Sequence, residues 1–481
     1  MRGEMREPTR ALVRRTIASA SAAVTATILR LPLAVARPGG GGSYGGGGGG
    51  GGGGGFHSGG GGFGAPVGPV GGGGGSSGGG AFFFFLVLLV LFFIFFAAAR
   101  QKRRQRTGAA GDGNVAIDGD PLALLRTRDP ALTVESIVEH VRQMADMLRG
   151  AWCAGDMGPA RAFVSDGVFS RFQVQLGLMQ AENRRNVMGD ARVISVSVQG
   201  TENADPLDVV HVLVQAEARD TEVPWNASGD QIRAALQRAP IEPYEEIWSI
   251  SRCTGAQSKP AGYAVGRACP RCGAPLAEGE TIKCRYCGAL VCSGEHDWVL
   301  AEITQTIEWR PTGQAPGLDH LRVRDPGVAR ETLEDRASYV FWKWVQAARQ
   351  GQLAPLRKCA TPSLLARGAR LEWATGAIDV AVGAAELVSC DVDPTGQGFD
   401  HAHVEVAWSA RLRGSREHTK VKSLLRLARR SGVVSKPSMT ALACPGCGAP
   451  LVESDSSRCD HCGVELAAGD QAWVLEDITG L

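Results

Sequence analysis

One cysteine pattern occurs twice in this chain and constrains its fold more than any other feature. Each copy follows C-x2-C-x11-C-x2-C. Four thiolates at this spacing surround a zinc ion tetrahedrally and leave no coordination position open, as in structural zinc ribbons. The predicted zinc ligands are Cys269, Cys272, Cys284 and Cys287 in the first copy and, 175 positions later, Cys444, Cys447, Cys459 and Cys462 in the second.

Disulfide bonds and a redox-active C-x-x-C pair are the two other interpretations of this pattern. Each copy contains two C-x-x-C halves, which argues against a redox pair because such a pair needs only one. Disulfide bonds depend on the redox state of the compartment. The first 106 residues indicate which compartment that is.

Residues 81–99, AFFFFLVLLVLFFIFFAAA, form an uncharged apolar run. A helix of this length is about 28 Å long, which matches the hydrocarbon core of a bilayer. The run therefore predicts a transmembrane helix, with a buried core helix as the alternative. Five basic residues follow between positions 100 and 106, and the positive-inside rule places the chain from residue 100 onward in the cytoplasm.

Residues 1–36 resemble a secretory signal peptide, with an arginine-rich start and a moderately apolar stretch that ends in Ala-Val-Ala. Arg30 interrupts the apolar stretch, so an uncleaved first span and a mitochondrial transit peptide remain alternatives. Residues 37–80 are expected to form a glycine-rich extracytoplasmic loop, since glycine offers no side chain to offset the entropy of ordering. The predicted location is the inner (plasma) membrane, with one span after signal cleavage and cytoplasmic C-terminal domains.

A cytoplasmic location favours zinc over disulfides, because thiols stay reduced there. The other cysteines show no spacing pattern and are expected to be small buried apolar residues. They are Cys153, Cys253, Cys292, Cys359 and Cys390.

Charge is divided unevenly along the chain. The first 106 residues carry 12 basic and 2 acidic side chains, and the remainder carries 39 and 47. A mildly acidic body lacks the basic footprint of a general nucleic-acid binder. This argues against nucleic acid as a partner.

A larger unit repeats around the cysteine pattern. Gly155, Arg161 and Arg171 recur as Gly351, Arg357 and Arg367, at an offset of 196. Each glycine ends an amphipathic helix pattern, and alternating strand patterns follow, so the predicted fold class is α+β. After each ribbon a W-V-L strand recurs, predicted to fold back on the ribbon or on the sheet. The predicted segments are a basic juxtamembrane linker at 100–129, α+β domains at 130–255 and 330–435, and ribbons with their W-V-L strands at 266–305 and 441–481.

The glycine-rich segment, single span, basic stop and helix ending in A-W-x-x-G-D resemble the bacterial membrane proteins that carry the domain of mitochondrial inner-membrane translocase subunit 44. The resemblance covers residues 130–255 and, more faintly, 335–435. It implies a fold similar to nuclear transport factor 2, with two cone-like modules in which helices cross a curved antiparallel sheet over a hydrophobic pocket. In mitochondria the domain binds the inner membrane and helps to scaffold the import motor. The residues that carry the resemblance are Ala151, Trp152, Gly155, Asp156, Arg161 and Phe163.

Few other residues suggest chemistry, and the sequence contains no phosphate-binding loop, nucleophile elbow or H-E-x-x-H motif. His401 and His403 share one face of a predicted strand, where they would hold a metal or form a solvated face. Asp156 is either a pocket carboxylate or a cap for the next helix. The aromatic group on the second helix, which lines a pocket or packs in the core, comprises Phe341, Trp342 and Trp344.

These patterns predict a membrane-anchored, non-catalytic binding or scaffold protein that holds a protein or lipid-like ligand near the lipid bilayer. A pocket enzyme and a nucleic-acid binder that uses the ribbons are the alternatives. The two modules would either act separately on one ligand or pack together into one pseudo-symmetric body.

Overall fold

The computed structural model describes residues 120–277, 282–311, 313–412, 418–436, 438–439, 444–449 and 451–480. The predicted signal segment, glycine-rich loop and membrane span lie outside these residues, as does most of the basic linker. Of the helices in the described part of the chain, none is both long and apolar enough to cross a bilayer.

Two modules of similar element order follow one another. The first contains α1 (Ala123–Arg126), α2 (Val134–Ala154), α3 (Asp166–Ala181), β1 (Arg184–Ala204), β2 (Leu207–Pro224), α4 (Gly229–Arg238), β3 (Ile241–Cys253) and β4 (Val299–Gln305). The second contains α5 (Leu318–Arg324), α6 (Arg330–Gln350), α7 (Pro362–Ala366), β5 (Ala377–Asp391), β6 (Phe399–Leu412), β7 (His418–Arg430) and β8 (Val474–Gly480). Short 3-10 helices occur at Gly158–Ala160, Ala354–Leu356 and Gly368–Trp373.

The long helix of each module begins and ends where local chemistry predicts. The Thr133 side chain accepts a hydrogen bond from the Ser136 amide at the start of α2, and the Thr133 amide donates one to Ser136 Oγ. Gly155 ends the helix with a φ of 75°, a left-handed conformation that favours glycine. Gly351 ends α6 in the same way with a φ of 65°. The prediction that these glycines cap the two helices is confirmed.

Each module has one antiparallel four-stranded sheet, with strand orders β1-β2-β3-β4 and β5-β6-β7-β8. The α+β class is therefore confirmed. The register between β1 and β2 shifts at three places, as does the register between β5 and β6. Such bulges bend a strand and increase its twist. The helices cover one face of each sheet, and their apolar sides form the two main hydrophobic cores.

The two W-V-L segments form the last strand of each sheet. β4 pairs with β3, and β8 pairs with β7. The structure therefore places this segment on the sheet, which is one of the two predicted positions. Each ribbon is consequently an insertion before the final strand of its module.

The two modules pack against each other, so that the described residues belong to one compact unit. The main contact is between α3 and α6. The Asp335 carboxylate of α6 accepts a hydrogen bond from the Gly167 amide of α3 at 2.8 Å. At the other end of the boundary, Asp379 pairs with both Arg184 and Arg411. Of the two arrangements left open by the sequence, the modules adopt the packed one.

Candidate metal centres

The eight predicted ligands lie in two clusters, and within each cluster the four sulfur atoms are within 4.8 Å of one another. In the first cluster, the Sγ atoms of Cys269 and Cys287 are 3.7 Å apart, and those of Cys272 and Cys284 are 3.9 Å apart. In the second, the corresponding pairs are 3.6 and 3.8 Å apart.

These sulfur distances fit a shared metal ion. A tetrahedron with metal–sulfur bonds of about 2.3 Å has sulfur–sulfur edges of about 3.8 Å. A disulfide would need sulfur atoms about 2.05 Å apart. All eight cysteines are free thiols. The arrangement defines two metal sites in which protein sulfur fills every tetrahedral position.

Tight C-x-x-C-G turns bring backbone amides close to the sulfurs. The Gly273 amide donates to the Cys269 carbonyl oxygen at 2.9 Å, and Gly273 has a φ of 75°. Amide hydrogen bonds from Cys287 and Tyr286 lower the pKa of Cys284 to about 6. Amides of Cys462 and His461 lower the pKa of Cys459 to about 6 in the same way. The second turn of each ribbon therefore stabilises the thiolate of its first cysteine, which is the form that binds a metal, whereas burial raises the pKa of Cys269 in the first turn to about 12.

The base of each ribbon is held by a buried group of three residues that the sequence reasoning missed. In the first module, Arg252 at the end of β3 lies 2.9 Å from Asp129 and stacks over Trp298, with its guanidinium carbon 4.3 Å from the ring centroid. Both Arg252 and Asp129 are 1% exposed. Because Trp298 directly precedes β4, this contact joins the two chain segments that lead into and out of the ribbon.

The second module repeats this group of three. Arg429 lies 2.7 Å from Asp325, and its guanidinium carbon is 4.5 Å from the Trp473 ring centroid. The offsets from the first module are 196 for the aspartate, 177 for the arginine and 175 for the tryptophan. Alignment of the two halves beyond the helices and ribbons would have revealed this group.

Arg161 and Arg171, two arginines of the predicted repeat, are both buried. Arg161 donates to the Val164 carbonyl oxygen at 3.0 Å and pairs with Asp166. Arg171 lies 3.2 Å from Glu302 and donates to the Val382 carbonyl oxygen of the second module at 3.1 Å. Its counterpart Arg367 is exposed, so the repeat diverges where the modules meet.

Other residues singled out in the sequence have structural roles. Asp156 accepts a hydrogen bond from the Gly158 amide at 2.8 Å, next to the Met157 N-cap of a short 3-10 helix. His401 and His403 pair with different carboxylates, and neither belongs to a cluster of three possible metal ligands within the described ranges. The aromatic group on α6 is confirmed as core, since all three of its members are 0% exposed: Phe341, Trp342 and Trp344.

Four of the five remaining cysteines are buried. Burial raises the pKa of the Cys292 and Cys390 thiols to about 12 and that of Cys253 and Cys359 to about 11. Cys153 is partly exposed, and its sulfur accepts the Met188 amide at 3.3 Å. The expectation of small buried residues is confirmed for four of the five.

A second candidate site is a cavity of about 70 Å³ between the modules. One wall comes from β1, β2 and β4 of the first module, and the other from α6 and β5 of the second. Burial raises the pKa of Glu334 and Asp335 well above the ordinary range. Burial also raises the pKa of Glu331 and of Glu302. None of these four carboxylates stood out in the sequence, because their burial depends on how the modules pack.

Fold and site together define a duplicated α+β protein with two four-cysteine metal centres. No protein-family model matches the sequence, and no curated protein matches it. One solved structure, described as "Ntf2 like protein involved in plasmid conjugation", is similar over 62% of this chain and 92% of its own, with 10% sequence identity and a TM-score of 0.14. A TM-score this low supports no argument about fold or function, so the cone-like fold stays a prediction.

Proposed function

We propose that this chain is a membrane-anchored, non-catalytic binding or scaffold protein with two cytoplasmic modules that hold a partner near the bilayer. The predicted span at residues 81–99 would provide the anchor. The observation that best supports a binding role is an exposed surface on the first ribbon, formed by Arg271, Arg285 and Tyr286. We call this surface the basic tip.

The basic tip combines two cations with an aromatic ring. Arg271 lies in the first C-x-x-C turn, and its Nη1 is 3.5 Å from the Cys287 carbonyl oxygen in the second turn. The Arg285 guanidinium carbon lies 5.1 Å from the centroid of the Tyr286 ring. Tyr286 is 60% exposed. Arginine and tyrosine are enriched at protein interfaces, since both combine apolar area with hydrogen-bonding groups.

The second ribbon lacks this surface. Gly446, Asp460 and His461 occupy the corresponding positions, at an offset of 175. The Asp460 carboxylate is 2.6 Å from Lys358 Nζ, and Glu453 pairs with Lys343 of α6. These carboxylates of the second ribbon thus form ion pairs with lysines of its own module. This favours a structural role for the second ribbon and a binding role for the first.

The chemistry of the basic tip favours an acidic segment of a partner protein. Guanidinium groups form paired hydrogen bonds with carboxylates, and the tyrosine ring adds apolar contact. The acidic balance of the chain beyond residue 106 disfavours approach of a long polyanion.

We also propose that the ion in both ribbons is zinc. Four thiolates in a closed tetrahedral arrangement suit zinc, whereas calcium and magnesium require oxygen ligands. The resulting role is structural, because no coordination position is left for a substrate or water.

In-cell photocrosslinking of the full-length chain tests the partner, with a photoreactive residue at Ala277 on the first ribbon and mass spectrometry of the crosslinked peptides. We expect crosslinks to one membrane-associated protein through an acidic peptide. The double change Arg271→Ser and Arg285→Ser should reduce them about tenfold or more. Arg458→Ser is the matched control, because Arg458 is an exposed basic residue of the second ribbon, and it should leave the crosslinks unchanged.

Two other outcomes would reject the protein-partner proposal. Crosslinks to RNA or DNA with a steep salt dependence would favour the nucleic-acid alternative. A pocket enzyme is favoured by one observation, the carboxylates of raised pKa beside the intermodule cavity. Conversion of a small molecule that Asp335→Asn abolishes, without crosslinks at the ribbon, would support that function.

A further inference from the structure

The cavity between the modules is strongly acidic. Its lining contains seven carboxylates, two guanidinium groups and one imidazole. Its inner end is formed by buried residues such as Glu331 and Asp335, while its outer end includes the exposed residues Arg310 and Glu386. A ligand can therefore reach the buried carboxylates from solvent.

Glu331 is a buried carboxylate of this lining that forms no direct ion pair among the described residues. The residue is 8% exposed. Its carboxylate accepts a hydrogen bond from its own amide, and His211 and Arg330 attract it from a distance without forming an ion pair with it in the described part of the chain. Burial, and then the nearby Glu202 charge, raise its pKa, which reflects the cost of holding a negative charge away from water.

The two guanidinium groups of the lining make no ion pair with Glu331, although the Arg330 charge acts to lower the pKa of that carboxyl. Arg330 donates to the carbonyl oxygens of Leu387 and Gly313, and its Nη1 lies 3.6 Å from the Glu334 carboxylate. Arg310 donates to the carbonyl oxygens of Trp309, at 2.8 Å, and Ile307. Both guanidinium groups thus have other partners, and carboxyl groups outnumber cationic groups in the lining.

The burial of Glu331 is specific to the second module, as the corresponding helix position in the first module shows. Glu135 lies 196 positions before Glu331, in the first turn of α2, and it is exposed. The two glutamates have the same place in their helices but different surroundings, because the first module covers the start of α6. Glu135 therefore provides a matched control.

The spacing of the carboxylates disfavours a metal ion. Across the described ranges, the two cysteine clusters are the groups in which three or more possible ligand atoms lie within 4.8 Å of one another. A bound calcium or magnesium ion would draw its oxygen ligands closer than the cavity carboxylates lie. Carboxylates that are further apart suit a ligand with several N–H donors on one group.

An aromatic ring and the available space indicate the kind of ligand. Trp309 lies in the cavity wall, 6.2 Å from the His211 ring. Aromatic faces attract organic cations. A volume of about 70 Å³ accommodates about five water molecules, or one cationic head group with a short stem.

We propose that this cavity binds a small organic cation, an ammonium or guanidinium group on a short carbon chain, and that the Glu331 carboxylate is its principal charged contact. Trp309 contributes the aromatic face. The site requires both modules, so ligand binding would stabilise their packing. It is separate from the basic tip and does not depend on the partner proposed for that surface.

Isothermal titration of the full-length chain in nanodiscs tests this, with agmatine, which carries both kinds of cationic group, as the probe. We expect saturable binding that Glu331→Gln weakens about tenfold or more and Trp309→Leu weakens to a smaller extent. Glu135→Gln makes the same chemical change at the exposed counterpart and should leave the affinity unchanged.

The metal content and thermal unfolding of each variant establish that it is folded. If Glu331→Gln does not fold, Trp309→Leu decides the question. No agmatine binding by the folded wild-type chain, or equal binding by both glutamine variants, would overturn the proposal. Calcium binding that Glu331→Gln abolishes, in place of agmatine binding, would overturn it in favour of a metal site.

Discussion

Gly167 lies where the start of α3 meets the side of α6, and the approach is closer than a side chain allows. A Cβ atom at this position would lie 2.6 Å from the Asp335 carbonyl oxygen. Gly177, in the same helix, is exposed, and a Cβ atom there would meet nothing within 4 Å. The two glycines therefore separate the effect of module packing from that of helix propensity.

We expect Gly167→Ala to lower the free energy of unfolding by about 1–3 kcal/mol, because either α6 or α3 must shift to relieve the clash. Gly177→Ala should raise it by about 0.5–1 kcal/mol, since alanine favours the helix and no contact opposes it. Chemical denaturation of both variants measures these changes. Equal effects of the two substitutions would contradict the close packing of α3 on α6.

At the scale of elements, each ribbon is inserted between two strands of a sheet, and these two strands pair with each other independently of the ribbon. β3 and β4 pair directly, and the Arg252–Trp298 stack connects the ends of both strands at the ribbon base. The ribbon itself has only a small apolar cluster around its cysteines. Its local fold should therefore depend on the metal, while the sheet should not.

We expect two zinc ions per chain by elemental analysis, falling to one in Cys284→Ser and to one in Cys459→Ser. Cys153→Ser should retain both, because Cys153 lies outside the clusters. In Cys284→Ser, limited proteolysis should cleave the first ribbon, between residues 266 and 292, while the far-UV circular dichroism of the body persists. Loss of the whole fold in that variant would contradict the independence of sheet and ribbon.

At the scale of the molecule, carboxyl groups at the boundary of the two modules have pKa shifts in opposite directions. Burial raises the pKa of Glu334 and Asp335 on α6. Burial also opposes ionisation of Asp379, but Arg184 and Arg411 outweigh it and lower the pKa of that carboxyl. A group with a raised pKa binds its proton more tightly in the folded state, so its contribution to stability is lost as the pH rises.

We expect the stability of the packed modules to fall as the pH rises from the ordinary aspartate range, near 4, through the raised pKa of Asp335. Asp335→Asn keeps an oxygen that can accept from Gly167 but cannot ionise, so it should flatten this part of the profile. Thermal unfolding from pH 4 to pH 9 measures both profiles. A wild-type stability that rises steadily over this range, or an unchanged slope in Asp335→Asn, would contradict the assignment.

Local chemistry made much of this molecule predictable from the sequence. The cysteine spacing predicted two four-sulfur centres, because a metal site of this kind depends on two short turns. Gly155 and Gly351 predicted helix ends, since a left-handed cap is a property of one residue and its neighbours. Alternating apolar residues predicted antiparallel strands and the α+β class.

Contacts between distant segments could not be predicted in this way. The insertion of each ribbon before the last strand depends on the pairing of β4 with β3 and of β8 with β7. The roles of Arg252 and Arg171 depend on side chains more than 45 positions away along the chain. Glu135 and Glu331 have equivalent places in their helices, yet only Glu331 is buried, because only α6 has its first turn covered by the other module. Burial and charge at that boundary arise from packing of the whole chain, which no local pattern encodes.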